Sequence, residues 1–270
     1  MQNKDALATL AWLVEAGADE AIAETPVNRL NVKPPPPVPA APAPIPISRP
    51  VNASPAVSPA GDPIGGAMAA AAAAKTLEEL RAALEAFEGS ALKRAATHTV
   101  FADGIPQGRV LFIGEAPGRE EDRVGKPFVG RAGQLLDKML TSVGLDRRRN
   151  CYITNVINWR PPDNRDPSPE EAAICLPFLR RHIELANPGV IVLLGAVAAR
   201  HVMGITEGIM KSRGRWLEYR VGDAMVPVMP TLHPAYLLRQ PAHKKLAWRD
   251  LQALAARMEA LGLPEEAGTG

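Results

Sequence analysis

Glu115 and His233 are the two side chains of this sequence whose settings point to chemistry. Glu115 stands in Gly114-Glu115-Ala116-Pro117-Gly118-Arg119-Glu120-Glu121-Asp122, directly after the apolar run Val110 to Ile113. Gly125-Lys126-Pro127-Phe128-Val129-Gly130 follows. A short apolar run bounded by glycine reads as a buried strand. Its end therefore delivers a carboxylate, a rigid Gly/Pro loop and an aromatic ring to one place. His233 has the same kind of setting in Thr231-Leu232-His233-Pro234-Ala235-Tyr236-Leu237-Leu238-Arg239. A carboxylate and a histidine on strand-end loops suit a bond broken between two developing charges. Fixed charges and donors act most strongly where charge appears in the transition state.

Each residue also has a plainer explanation. A lone histidine is more often structural, a lone Phe128 reads as a core aromatic, and Asn155 as a strand-end or turn asparagine. Glu115 is hardest to explain by packing, because a buried carboxylate needs a partner. The Gly-rich loop is weak evidence alone, and neither G-x-G-x-x-G nor a Walker sequence occurs. The combination is more specific. Phe128 offers a flat surface for a base. Asn155 carries donor and acceptor on one amide, a pair that matches the N3–H and O4 edge of uracil, whereas cytosine presents the opposite pattern.

These residues need elements to hold them. Residues 109–114, 152–156 and 190–195 read as buried strands, and 216–220 with 225–230 as a hairpin leading to His233. Helices are expected over 133–143, 169–186, 196–203 and 244–261, with Pro169 in the first turn of its helix and Pro188 just beyond it. Alternation of strands and helices predicts a three-layer αβα sandwich around a mainly parallel central sheet of about four strands. In such a sheet the loops at the carboxyl ends of the strands form the site, and Glu115, Asn155, Gly195 and His233 all fall there.

The rest of the chain is different in kind. Of the 27 prolines, 12 lie between Pro34 and Pro63, where too little apolar surface exists to offset ordering. The reading is a short helical segment at 1–31, with Leu7, Leu10, Leu13 and Val14 at helical spacing, and a Pro/Ala-rich linker over 32–75. The folded domain spans 76–262, opened by the cap Thr76-Leu77-Glu78-Glu79, and a flexible tail covers 263–270. The net charge of +2 announces no nucleic-acid surface by itself. Arg147-Arg148-Arg149, Arg180-Arg181 and Arg213 with Arg215 are the local basic clusters, each more readily a solvated face. Two cysteines exclude a disulfide scaffold and an all-cysteine metal site. With no signal-peptide pattern and no long apolar run, the protein reads as cytoplasmic, without a membrane partner, and as a monomer.

Several motifs together resemble family 4 uracil-DNA glycosylases: Gly114-Glu115-Ala116-Pro117-Gly118, Glu121-Asp122, Pro127-Phe128-Val129-Gly130-Arg131-Ala132-Gly133, Tyr152-Ile153-Thr154-Asn155, Arg160-Pro161-Pro162-Asp163-Asn164-Arg165 and His233-Pro234-Ala235-Tyr236-Leu237-Leu238-Arg239. The resemblance covers about residues 80–255. It implies a monofunctional enzyme that releases uracil from DNA. Glu115 would act on the sugar side, and His233 with backbone N–H groups of the Glu115–Ala116 loop would stabilise the departing base. Phe128 would stack on uracil, Asn155 would read its edge, and Glu121 would crowd the C5 position. Gly130 and Gly133 would meet phosphates. Pro234, Tyr236, Leu237, Leu238 and Arg239 would enter the minor groove.

The family usually holds a four-iron, four-sulfide cluster through four cysteines. Here Phe87, Ser90 and Trp159 stand at three of those positions and Cys175 at the fourth, so no metal cofactor is expected. A related covalent uracil-binding group carries a basic insertion after the asparagine strand. This chain has the short Arg-Pro-Pro turn instead, which favours hydrolytic turnover. The rival readings are a non-catalytic uracil or lesion binder and a glycosylase for another deaminated base. The N-terminal helix and its Pro-rich tether suit docking to a replication or repair protein.

Overall fold

The computed structural model describes residues 62–264. The N-terminal helix and its docking role fall outside those residues, as do most of the Pro/Ala-rich segment and the end of the tail.

The strands are β1 (Ala102–Gly104), β2 (Val110–Gly114), β3 (Tyr152–Asn155), β4 (Val190–Leu194), β5 (Leu217–Val221) and β6 (Ala224–Thr231). They form one sheet in the order β1-β3-β2-β4-β6-β5. The inner strands β3, β2, β4 and β6 run parallel, and β1 and β5 pair antiparallel at the edges. The expected parallel core is thus present, but the sheet has six strands rather than about four. The β1 strand spans only three residues and carries no apolar alternation, so nothing in its sequence marks it.

Register aligns the strand ends. Gly114 lies opposite Asn155, Ile113 opposite Leu193, and Leu194 opposite Thr231. Glu115, Asn155, Gly195 and His233 therefore emerge along one edge. β2 has parallel neighbours on both sides, the doubly wound arrangement that opens a crevice at the carboxyl ends.

The helices are α1 (Pro63–Ala73), α2 (Leu77–Ala86), α3 (Ala91–Ala95), α4 (Arg119–Val124), α5 (Arg131–Thr141), α6 (Pro169–Ala186), α7 (Ala196–Met203), α8 (Ile209–Ser212), α9 (Pro234–Arg239) and α10 (Lys244–Leu261). Alternate residues of the buried strands face opposite sides, giving two cores. Leu111, Ile113, Ile191 and Leu193 pack with α1, α2, α6 and α7. Val110, Phe112, Val192 and Leu194 pack with α5, α9 and α10. This is the three-layer αβα arrangement. α6 begins as its sequence predicts: Ser168 Oγ accepts from Glu171 N–H at 3.2 Å, and the Glu171 carboxylate accepts from Ser168 N–H at 2.8 Å.

Two local expectations change. The linker was expected to run to residue 75, yet α1 is helical from Pro63, capped by Asp62, with Ala67 and Ala71 buried. Small alanines allow close packing on α6, and Arg181 donates to Ala74 O at 2.9 and 2.8 Å. The segment after His233, for which no element was expected, forms helix α9. The His233 side chain accepts from Ala235 N–H, and Pro234 sits in the first turn.

Candidate active site

Phe128 occupies a strained position held from two directions. Its φ is +54°, a left-handed conformation that costs a bulky residue about 1–3 kcal/mol. Arg147 Nη1 donates to Pro127 O and Nη2 to Phe128 O, both at 2.9 Å. The same guanidinium pairs with Asp103 at 3.2 Å and Asp137 at 2.8 Å, and its side chain is only 11% exposed. From the other direction, Glu121 Oε1 accepts from Val129 and Gly130 N–H at 2.9 Å each. Glu121 Oε2 accepts from Gly118 N–H at 3.1 Å. One carboxylate therefore ties the Glu115 loop to the Phe128 loop.

Phe128, Asn155, His233, Ala116, Glu121 and Ala132 line a cavity of about 170 Å³. Drug-sized sites run to roughly 300–1,000 Å³, so this one suits a single small ring rather than a nucleotide. Phe128 and His233 lie with ring centroids 5.5 Å apart, inclined by 33°. Asn155 is 2% exposed, and its Oδ1 has no hydrogen-bond partner among the described residues. Buried polar atoms are nearly always paired, and this orphan acceptor belongs to a residue that lines the cavity, so its pairing there calls for a donor from outside the chain. Gly114 sets the depth of the pocket: a Cβ there would lie 2.4 Å from Asn155 Oδ1 and 2.6 Å from the Phe128 ring.

His233 Nδ1 accepts from Ala235 N–H at 3.1 Å. That bond requires a bare Nδ1 and leaves the proton on Nε2. Burial, aided by Arg239 and opposed by Glu121, pushes its pKa down to about 4. The ring is thus a neutral donor at pH 7. Glu115 directly precedes Ala116 and is half-buried, although it does not itself line the cavity. Ile157 N–H donates to Glu115 O at 2.9 Å, pinning the loop on the strand beside it. Burial, reinforced by the charge of Asp166 and opposed by Arg200, raises the Glu115 carboxyl above its usual range.

Other expected contacts take different forms. Glu121 lines the cavity as expected, but its carboxylate serves as a brace. The Gly130 N–H, expected at a phosphate, is already bonded to Glu121. Gly133 is buried, and a Cβ there would fall 1.8 Å from Phe128 O, so its close approach is internal. Leu237 is 1% exposed in the core, and Pro234 is buried. Neither can insert into the minor groove of DNA, whereas Leu238 is 38% exposed and Arg239 lies on the surface. Tyr236 is half-buried and stacks on His243, with its hydroxyl 2.7 Å from Nδ1. Arg147 was read only as part of a basic cluster. Nothing in three consecutive arginines shows which one turns inward.

Residues 101–252 match the family model of the Uracil DNA glycosylase superfamily. The Type-4 uracil-DNA glycosylase of Thermotoga maritima is 47% identical over 149 residues, 55% of this chain and 76% of that protein. The chain belongs to the type-4 uracil-DNA glycosylase family. The Archaeoglobus fulgidus member is 43% identical over 56% of this chain and 77% of its own length. That of Sulfurisphaera tokodaii is 36% identical over 66% and 83% respectively.

The cluster that this family usually holds does not fit the residues of this member. Phe87 packs edge-on against Phe178 at 5.3 Å. Trp159 is fully buried and donates from Nε1 to Thr99 Oγ1 at 2.9 Å. Ser90 is fully buried, with Oγ unpartnered among the described residues. Cys175 is buried in the same core, where desolvation pushes its thiol up to about 12, opposing the thiolate that iron requires. Cys151 belongs to the core on the other face of the sheet. The described residues contain no group of three or more His, Cys, Asp or Glu placed to hold a metal ion. They also contain no helix long and apolar enough to cross a membrane.

Proposed function

We propose that this chain is a monofunctional uracil-DNA glycosylase of base excision repair, hydrolysing the N-glycosidic bond of deoxyuridine to release uracil and leave an abasic site. The unpartnered Asn155 Oδ1 carries the reading. Uracil N3–H can donate to it, and the amide NH₂ can donate to O4. Cytosine offers an acceptor at N3 and a donor at C4, so it would leave the buried amide mispaired. Such mismatched polar groups discriminate far more strongly than shape alone.

The target nucleotide leaves the stack, at a cost of a few kcal/mol that a mispaired uracil lowers. Its base enters the cavity over Phe128. The C1′–N1 bond breaks with its electron pair going to the base, where charge collects on O2 and O4. His233 Nε2–H donates toward that charge, with help from N–H groups of the Glu115–Ala116 loop. The neutral tautomer provides a donor without committing a proton. On the sugar side, the Glu115 carboxylate favours positive charge near C1′ and orients the water whose oxygen bonds to C1′; the proton that this water sheds balances the one that the uracil anion takes up to leave as neutral uracil. Carboxylates play the same part in glycoside hydrolysis. No metal or organic cofactor enters. Leu238 and Arg239, the exposed part of the α9 segment, face the DNA. All these groups lie on one chain, which suits a monomer, and two buried free thiols suit the reducing cytoplasm.

The test is alkaline cleavage of a labelled uracil-containing strand after incubation with wild type or Glu115→Ala. Uracil-dependent scission that is greatly slowed in the variant supports the proposal. No scission of single-stranded, U:A or U:G substrates by folded protein would overturn it, in favour of a binder or an enzyme for another base.

A further inference from the structure

One arginine from each basic cluster that stands out in the sequence is used inside the molecule. Arg147 holds the Phe128 loop, Arg181 caps α1, and Arg213 pairs with Asp250. A different set of cations faces outward. Beside α9 lies a groove of about 400 Å³ with Leu237 and Met139 in its lining and Lys138, Lys244, Lys245 and Trp248 around it. No carboxylate is among the described residues that line it. The three lysines make no ion pair among the described residues. Trp248 is 44% exposed, although large aromatics normally contribute to cores.

We infer that this groove is a second DNA subsite, which holds the strand adjoining the uracil nucleotide through phosphates on Lys138, Lys244 and Lys245 and one base stacked on Trp248. This rests on the glycosylase reading. Two observations select DNA as the occupant. The first is composition: an apolar groove that has three lysines, no carboxylate and an exposed aromatic among its lining residues has the make-up of a single-strand track. The second is continuity. Leu237 belongs to α9, which starts at Pro234 beside the His233 of the base cavity. At about 1.5 Å rise per residue, Leu237 lies roughly 6 Å along α9 from His233. That is about two base steps at roughly 3.4 Å each on one strand. A strand whose uracil is seated in the cavity therefore reaches the groove within a few nucleotides.

The experiment compares kcat/KM for uracil release from a long single strand with that from a short one carrying a single nucleotide on each side of the uracil. Wild type, K138Q/K244Q/K245Q and Trp248→Ala are assayed on both. The subsite predicts that the triple variant loses activity on the long strand only. Its slope of log kcat/KM against log salt should be shallower by about 2, since each lost phosphate contact removes roughly 0.7 on single strands. Trp248→Ala should lose roughly tenfold on the long strand, the scale of one base stack. Long strands with uracil near either end then show which flank the groove holds. Equal loss on both lengths, or no loss on either, overturns the inference. So does unchanged turnover accompanied by lost binding of a polyglutamate peptide, which would reassign the groove to an acidic protein segment. If wild type releases no uracil from either length, the glycosylase reading fails. Anisotropy of a labelled uracil-free strand still tests the groove, which requires weaker binding by the triple variant.

Discussion

Neutral His233, pinned at Nδ1 by Ala235 N–H, can stabilise the departing base only through Nε2. Losing a donor of this type costs about 10²–10³ in kcat, so His233→Ala should fall by that factor in single-turnover uracil release, while loss of the α9 cap costs only about 1 kcal/mol of stability. Glu115 controls the acid side of the pH profile. Its folded pKa is raised, so the active carboxylate is lost by protonation at a higher pH than in an ordinary glutamate. The acid limb of kcat should therefore have its midpoint above 4.5 and vanish from the residual activity of Glu115→Gln. Arg147 acts through Phe128. Lysine keeps the charge but cannot span two carbonyls and two carboxylates as the guanidinium fork does. Arg147→Lys should weaken uracil binding and raise KM more than it lowers kcat, and free uracil should inhibit it less well. Unchanged inhibition would refute the bracing role.

Element ends are secured by a few buried polar contacts. Asp250 on α10 receives the Thr231 hydroxyl at 2.6 Å and the Arg213 Nε at 3.0 Å, and it pairs with Arg213 Nη2. The bond joins α10, the end of β6 and the turn after α8, two residues before His233. Removing the carboxylate leaves the part-buried Arg213 with Leu246 O but without its counter-ion, which costs up to about 3–5 kcal/mol. Asp250→Ala should therefore lower the urea midpoint substantially, and activity should fall further than the folded fraction. Helices α2, α5, α6, α7 and α10 and the inner strands were legible because their patterns are local. Pro169 opens α6, Asn187 closes it at φ +43°, and β2 and β4 are continuous apolar runs. Neither β1 nor α9 was legible. β1 exists only because β3 offers it a partner, and α9 forms around the His233 cap and the burial of Leu237.

Phe87, Trp159 and Phe178 meet the core that holds Cys175, and we propose that this aromatic packing stands in for metal crosslinks. Purified protein should contain no stoichiometric iron or sulfide and should still melt cooperatively. Trp159→Ala should cost about 3–5 kcal/mol, as for other large core aromatics. A broad visible absorption band from bound iron would contradict this account. By itself, the sequence determined the αβα class, the strand ends that carry Glu115, Asn155 and His233, and the kinship with uracil-DNA glycosylases. Those depend on short-range periodicity and on contiguous motifs. Only the tertiary structure decided that Arg147 turns inward, that Glu121 braces two loops, that Leu238 rather than Leu237 faces out, and that Lys138 joins Lys244, Lys245 and Trp248 in one groove. These assignments depend on how distant segments rotate and meet when the two cores close, and no local pattern encodes that.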